Sequence, residues 1–419
     1  MEIKRISYLN KLINRENNGL VKVITGIRRC GKSYLLFNLY YNYLISKGVD
    51  KEKIIKIPLD DINFKELRDS LKLYSYIKNL IIDDKTTYYV FLDEIQFVAD
   101  FADLINGLTH IQNLDIYVTG SNSKFLSKDI LTEFRGRGDE IRVRPLNFIE
   151  FSSAYNGNTI EAWKEFYTYG GMPLILSRKD DEQKADYLTN LFKKVYLCDI
   201  IERNNIKNDA ELEDMANILA SSIGSLTNPL KLANTFKTIN RSLTTDKTIK
   251  LYLDYLTDSF LIEKTVRYDV KGKKYISTPS KYYFADVGLR NATLNFRQQE
   301  ENHIMENILY NELRSRDYNV DIGVVDTFEK NANGVKERKQ LEIDFIASRG
   351  NKKYYIQSAF EISSQDKENQ EKKSLLKIND SFKKIIIVKD DIKLKIDDNG
   401  IITMGIMEFL LNVNSLETL

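Results

Sequence analysis

GIRRCGKS, residues Gly26 to Ser33, is the stretch from which the fold of this chain is read. It has two glycines five apart followed by Lys and Ser, the P-loop pattern. The apolar run Leu20–Thr25 precedes it and the helical run Tyr34–Ser46 follows it, so the pattern sits between a strand and a helix. The chemistry needs those residue types. Gly26 and Gly31 allow a tight loop whose N–H groups point inward around a phosphate, at the positive end of a helix. Lys32 is placed to reach the terminal phosphates as a point charge, and Ser33 to put a hydroxyl on Mg2+. Cys30 and Tyr34, on either side, are counted with the nucleotide-binding set. Arg28 and Arg29 either touch phosphate or brace the loop.

Working outward, YYVFLDEIQ (Tyr88–Gln96) supplies a second anchor. Tyr88–Leu92 is continuously apolar, as in a strand buried on both faces of a parallel sheet. It ends in Asp93 and Glu94, at the edge where open α/β sheets bind ligands. Asp93 is expected to hold magnesium and Glu94 to orient and polarise the attacking water. DIYVTGSNS (Asp115–Ser123) reads as the next strand, with Ser121 and Asn122 as candidates to sense the γ-phosphate and Thr119 behind them; an ordinary Gly-Ser turn is the alternative. Arg135 and Arg137 precede a short strand, Glu140–Val143. Either could serve as an arginine finger, in its own subunit or a neighbour's, or both lie in a solvated basic loop.

The set TGIRRCGKS, VFLDEIQ, VTGSNS and RGRGDEIRVRPLNFIEF (Arg135–Phe151) resembles the AAA-type P-loop ATPases of bacteria and archaea that carry a C-terminal domain of unknown function. That resemblance implies an AAA-like core using ATP and Mg2+ and working as a homo-oligomer, a hexameric ring being one form. The motif roles carry over at Gly26, Gly31, Lys32, Ser33, Asp93 and Glu94.

The whole chain of 419 residues has 62 Lys+Arg against 60 Asp+Glu, a net charge of +2, so any nucleic-acid footprint must be local. Cys30 and Cys198 form no C-x-x-C pair, and His110 and His303 are too few for a histidine metal cluster or a serine-type triad. MEIKRISYLN has no signal-peptide core and no run of about 18 apolar residues occurs, so a cytoplasmic protein with no membrane partner is expected.

The expected architecture is α/β: a P-loop AAA-like parallel sheet over 1–151 and a helical lid over 152–206, broken at YGGMP (Tyr169–Pro173). A winged helix-turn-helix would cover 207–297 and a restriction-endonuclease-like α/β domain 298–419. Between Lys231 and Lys274 there are ten basic and five acidic side chains. Lys237, Arg241, Lys247, Lys250, Lys271, Lys273 and Lys274 are the candidate DNA phosphate contacts. Asp254 and Asp258 would repel DNA, and winged helices also join proteins. The last domain resembles a metal-dependent nuclease, with Glu306 on a helix and Asp344 on a strand. The next strand, however, offers Gln357 and Ala359 where an acid and a lysine are needed, so cleavage is expected to be lost. DNA remodelling or translocation by an oligomeric ATPase is the leading expectation. A regulatory switch that recruits a protein partner in stress or mobile-element defence comes second, and a Mg2+-dependent nuclease third.

Overall fold

The computed structural model describes residues 3–120, 136–240, 244–297, 300–330, 336–362 and 364–418. Contacts divide it into two compact units, Met1–Pro145 with Asp258–Phe260, and Leu146–Thr257 with Leu261–Leu419.

The first unit is a five-stranded sheet in the order β2-β3-β4-β1-β5, parallel throughout. Its strands are β1 (Val21–Thr25), β2 (Ile54–Pro58), β3 (Tyr88–Asp93), β4 (Leu114–Thr119) and β5 (Gly138–Arg142). Every residue of β1 and β3 is buried, as helices on both faces require. On one face Val21, Val23, Val90, Leu92, Ile116 and Val118 pack with Leu73, Ile77, Leu104 and Leu108. The other face is aromatic and polar: the Tyr40 and Tyr117 rings lie 4.9 Å apart, and Phe91 meets Tyr117 edge-on. Beneath them Lys22 and Asp115, both buried, form an ion pair, and the Tyr117 hydroxyl donates to Asp115 at 2.7 Å. The helix after the P-loop runs as an α turn (Lys32–Tyr34), a π-wound stretch (Leu35–Tyr40) and an α-helix (Tyr41–Ser46). It buries Leu35, Leu36, Leu39, Tyr40 and Leu44. A short helix, Ile6–Ile13, precedes β1.

The second unit contains an eight-stranded sheet in the order β12-β13-β11-β10-β9-β8-β6-β7. Its strands are β6 (Ile262–Asp269), β7 (Lys274–Phe284), β8 (Asn319–Lys330), β9 (Lys336–Arg349), β10 (Lys352–Ala359), β11 (Lys383–Val388), β12 (Lys395–Ile396) and β13 (Ile401–Gly405). Within the span expected as a winged helix-turn-helix, three helices, Asp209–Ser221, Pro229–Asn240 and Asp246–Asp258, precede the β6–β7 hairpin. The hairpin read as a wing does not stand free. Its strand β6 pairs in parallel with β8, Arg267 opposite Ile322 and Asp269 opposite Val324. The boundary expected at residue 297 therefore runs through one sheet, because edge strands with unpaired N–H and C=O groups gain most by continuing a ladder.

The boundary expected at 206 also falls inside this unit, and a short helix, Val287–Thr293, shows why. All seven of its residues are buried, Arg290 and Asn291 included. Asp286 caps it by accepting from the Leu289 N–H at 3.0 Å, and its other oxygen accepts from the Gly171 N–H at 2.6 Å. Burial pushes this carboxyl up to about 6, against the pull of those N–H groups. Arg290 donates to the Ala220 carbonyl at 2.8 Å and Asn291 to that of Thr168 at 2.9 Å. The helix thus fastens the residues read as lid to those read as winged helix. A Cβ at Gly288 would sit 1.9 Å from the Tyr169 carbonyl oxygen, a backbone atom with little room to yield. Gly288→Ala is expected to cost about 3 kcal/mol or more, read as a lowered thermal-unfolding midpoint of the second unit.

Candidate nucleotide site

The loop of GIRRCGKS leaves β1 at its C-terminal end. Gly26 has φ 137° and Gly31 φ 100°, and Arg29 also lies in the left-handed region at φ 61°. Glycine is required at position 26 on steric grounds, since a Cβ there would lie 2.0 Å from the Val143 carbonyl oxygen. The same carbonyl accepts the Cys30 thiol at 3.4 Å. Cys30 is fully buried and its thiol braces the loop from behind, so the part of this residue that can face a phosphate is its backbone.

Lys32 is buried, and its ammonium donates to the carbonyls of Gly26 at 3.0 Å and Ile27 at 3.2 Å, inside the curl of the loop. A phosphate entering there offers that ammonium a charged acceptor in place of two neutral ones. The Ser33 hydroxyl donates to Asp93 Oδ1 at 3.1 Å, and the same oxygen accepts from the Thr119 hydroxyl. Burial raises the Asp93 carboxyl above its usual range, while the bonds from Thr119 and Ser33 pull it back. A hydroxyl and a carboxylate are hard oxygen donors, the type magnesium selects, so Ser33 and Asp93 fit the ion. Ser33 and Asp93 would hold it there, and it would supply charge neutralisation to a bound triphosphate.

Glu94 sits at φ 51°, which turns the chain out of β3, and its backbone N–H donates to Thr119 Oγ1 at 3.0 Å. Its carboxylate accepts from the Gln96 amide. Thr119, the last residue of β4, therefore holds in place both Asp93 at the end of β3 and Glu94 just beyond it. Ser121, Asn122 and Arg135 lie outside the described residues.

Arg137 is at the wrong edge for its own loop. Val21 at the start of β1 pairs with Gly138 at the start of β5, so Arg137 lies beside the N-terminal ends of the strands. At ~3.3 Å per residue along β1, that is roughly 16 Å from the P-loop. Its guanidinium donates to Thr109 Oγ1 at 3.0 Å. A finger in the same chain is excluded for this residue, because a parallel register keeps strand starts together.

Arg5 was not found from sequence. It adopts φ 36°, is buried, and donates to the Cys30 carbonyl at 2.9 Å and the Arg144 carbonyl at 2.8 Å. One guanidinium thus ties the P-loop backbone to the segment after β5. No local pattern marks such a residue, since the Arg144 contact spans 139 positions.

In the second unit, Lys237, Lys247 and Lys250 are exposed on their helices, and Lys271, Lys273 and Lys274 are exposed at the turn between β6 and β7. Asp254 and Asp258 are exposed on the same helix as Lys247 and Lys250. Arg241 lies outside the described residues. Glu306 and Asp344 of the expected nuclease site do come together, but around an ammonium. Lys281 of β7 lies 2.9 Å from Glu306, 2.7 Å from Glu342 and 4.0 Å from Asp344. Burial and then the Glu306 carboxylate push the Asp344 carboxyl up to about 8. Burial lowers the Lys281 ammonium, but Glu306, Asp344 and Glu342 outweigh it and hold the group above its usual range. Gln357 hydrogen-bonds with Glu371.

Residues 18–152 match the AAA domain family, and residues 160–300 match a domain of unknown function (DUF8612). An uncharacterised protein of Haemophilus influenzae is 35% identical over 390 residues, spanning 92% of this chain and 93% of its own. An uncharacterised protein of Methanocaldococcus jannaschii is 32% identical over 416 residues, 93% of this chain and 88% of its own. Among solved structures, the Aeropyrum pernix ORC1 protein in complex with DNA aligns with a TM-score of 0.33 at 12% identity, over 70% of this chain and 92% of that one. AMPPCP-bound DnaA from Aquifex aeolicus aligns with a TM-score of 0.29 at 15% identity, over 61% and 88%.

Two substitutions test the division of labour at this site. Glu94→Gln is expected to lower steady-state phosphate release about 10²–10⁴-fold, while a fluorescent ATP analogue still binds; lost binding would mean that Glu94 does not serve the water. Arg5→Ala is expected to weaken binding of the same analogue about tenfold.

Proposed function

This chain belongs to the family of its Haemophilus influenzae and Methanocaldococcus jannaschii relatives, and from that premise we propose that its AAA domain is a Mg2+-dependent ATPase whose turnover drives the binding and remodelling or translocation of DNA. The observation that carries the ATPase reading is the meeting of Lys32, Ser33, Asp93 and Thr119 at one edge of a parallel sheet. Gly26 and Gly31 curve the backbone around the phosphates, Lys32 turns from two carbonyls to the terminal phosphate, and Glu94 takes the proton of the attacking water. Ser121 and Asn122 follow β4 in sequence and are assigned the sensing of the γ-phosphate.

The enzyme acts as a homo-oligomer in this reading. Arg137 cannot serve its own loop, so a finger role for it requires a neighbouring copy's site, with Arg135 as the second candidate. The DNA part rests on the exposed lysines at 237, 247, 250, 271, 273 and 274, with Arg241 as a further candidate. A second reading, a nucleotide switch that recruits a protein partner, draws support from one feature: Asp254 and Asp258 share an exposed helix with Lys247 and Lys250, a mixed surface better matched to protein than to phosphate.

ATP turnover measured with single-stranded, duplex and branched DNA separates the two. Stimulation by at least one of them is expected, with binding that weakens at a log–log salt slope of about −0.9 per phosphate contacted. Replacing Lys271, Lys273 and Lys274 together by Ala is expected to flatten that slope by about 3. Turnover indifferent to every DNA form, with ATP-dependent assembly intact, would favour the switch.

A further inference from the structure

Glu306, Glu342 and Asp344 are drawn from a helix and from β9, and nothing in their sequence spacing explains how three acids share one pit. Carboxylates this close repel, so such a group needs a cation or must lose its charge. In a metal-dependent nuclease of the kind the sequence resembles, that cation is divalent and solvent-accessible, so that a phosphodiester can reach it. Here the cation is the chain's own. The Lys281 side chain is only 4% exposed, and Glu306 and Glu342 both lie within hydrogen-bonding distance of its ammonium.

The two carboxylates expected to ligate metal are otherwise engaged. Tyr283 donates its hydroxyl to Glu306 at 2.6 Å, and the Ser358 N–H donates to Asp344 at 2.7 Å. Gly224, at φ 71°, roofs Glu306 closely enough that a Cβ there would lie 3.1 Å from Oε2. Among the described residues no group of three or more His, Cys, Asp and Glu has a geometry that could hold a metal ion. The expected metal does not fit this set of residues as they stand. Lysine, with three N–H donors and no demand for octahedral ligation, does.

We propose that Lys281 is the resident cation of this site. Its ammonium takes the place in which a divalent metal would neutralise Glu306 and Asp344, and so turns a nuclease-like pit into an internal ion-pair core. Because Lys281 lies on β7, the same contact fastens the β6–β7 hairpin to the helix Glu301–Ser315 and to β9. A displaced catalytic lysine would need contact with water and with a phosphate, and burial of Lys281 denies it both. The proposal is independent of the ATPase reading, since no residue of the nucleotide site takes part.

The test is Mn2+ binding to the full chain without nucleotide, with free Mn2+ followed by electron paramagnetic resonance. Wild type, Asp344→Asn, Lys281→Met and the double variant are compared; any Mn2+ at the P-loop contributes equally to all four. Wild type and Asp344→Asn are expected to bind the same number of ions. Lys281→Met should bind one more, and the double variant should lose it. Loss of an ion on Asp344→Asn alone would overturn the proposal, and so would a folded Lys281→Met that gains none. If Lys281→Met fails to fold, the wild-type and Asp344→Asn pair still decides.

Discussion

The carboxylate of Asp93 is the point on which the nucleotide site depends. One of its oxygens accepts hydroxyls from Ser33, on the loop after β1, and from Thr119, at the end of β4. Three chain segments separated by up to 86 positions, from Ser33 to Thr119, therefore share one acceptor. The parallel register makes this possible, because β1, β3 and β4 all end at the same edge. Thr119 also anchors the Glu94 N–H, so the metal-type ligand and the water-type base are set by one hydroxyl. Burial of Asp93 has a cost that its two hydroxyl partners offset only in part, which leaves the group receptive to a cation.

Bracing behind the loop is as specific as the chemistry in front of it. Arg5 and Cys30 tie the loop to Arg144 and Val143, and Gly26 approaches Val143 too closely for any side chain. The aromatic face of the sheet carries the Lys22–Asp115 pair, whose net contribution to stability is small once desolvation is counted but whose partners are costly to separate. In the second unit the same logic recurs with Asp286 and Lys281. Each is a buried charge whose partners come from segments distant in sequence, and each joins elements that composition alone would assign to separate domains.

What was legible in the sequence follows from how local the signal is. GIRRCGKS and YYVFLD could be read because strand burial, loop curvature and ligand chemistry are written in consecutive residues. The winged helix-turn-helix expected over 207–297 rested on equally local signals, and that span holds three helices and the β6–β7 hairpin. Where the hairpin goes was not, because the β6–β8 pairing involves residues more than fifty apart. Arg5 and Lys281 escaped for that reason too, each being one basic residue among 62. Cys30 was counted with the loop by its position, and the direction of its thiol, away from the phosphate side, is not written in the sequence. For Arg137 a finger in its own subunit, a finger in a neighbour's and a solvated loop were all open from sequence, and the register of β5 against β1 puts it beside the N-terminal ends of the strands.

Equilibrium binding and turnover of Mg2+-ATP by the wild type and by Lys32→Ala, in one titration series, test the central claim most directly. The account predicts saturable binding and phosphate release in the wild type, with release abolished and affinity sharply reduced in Lys32→Ala while the fold is kept. Equal affinity and equal release in the two proteins would contradict it, because the buried ammonium inside the loop would then have no part in holding phosphate.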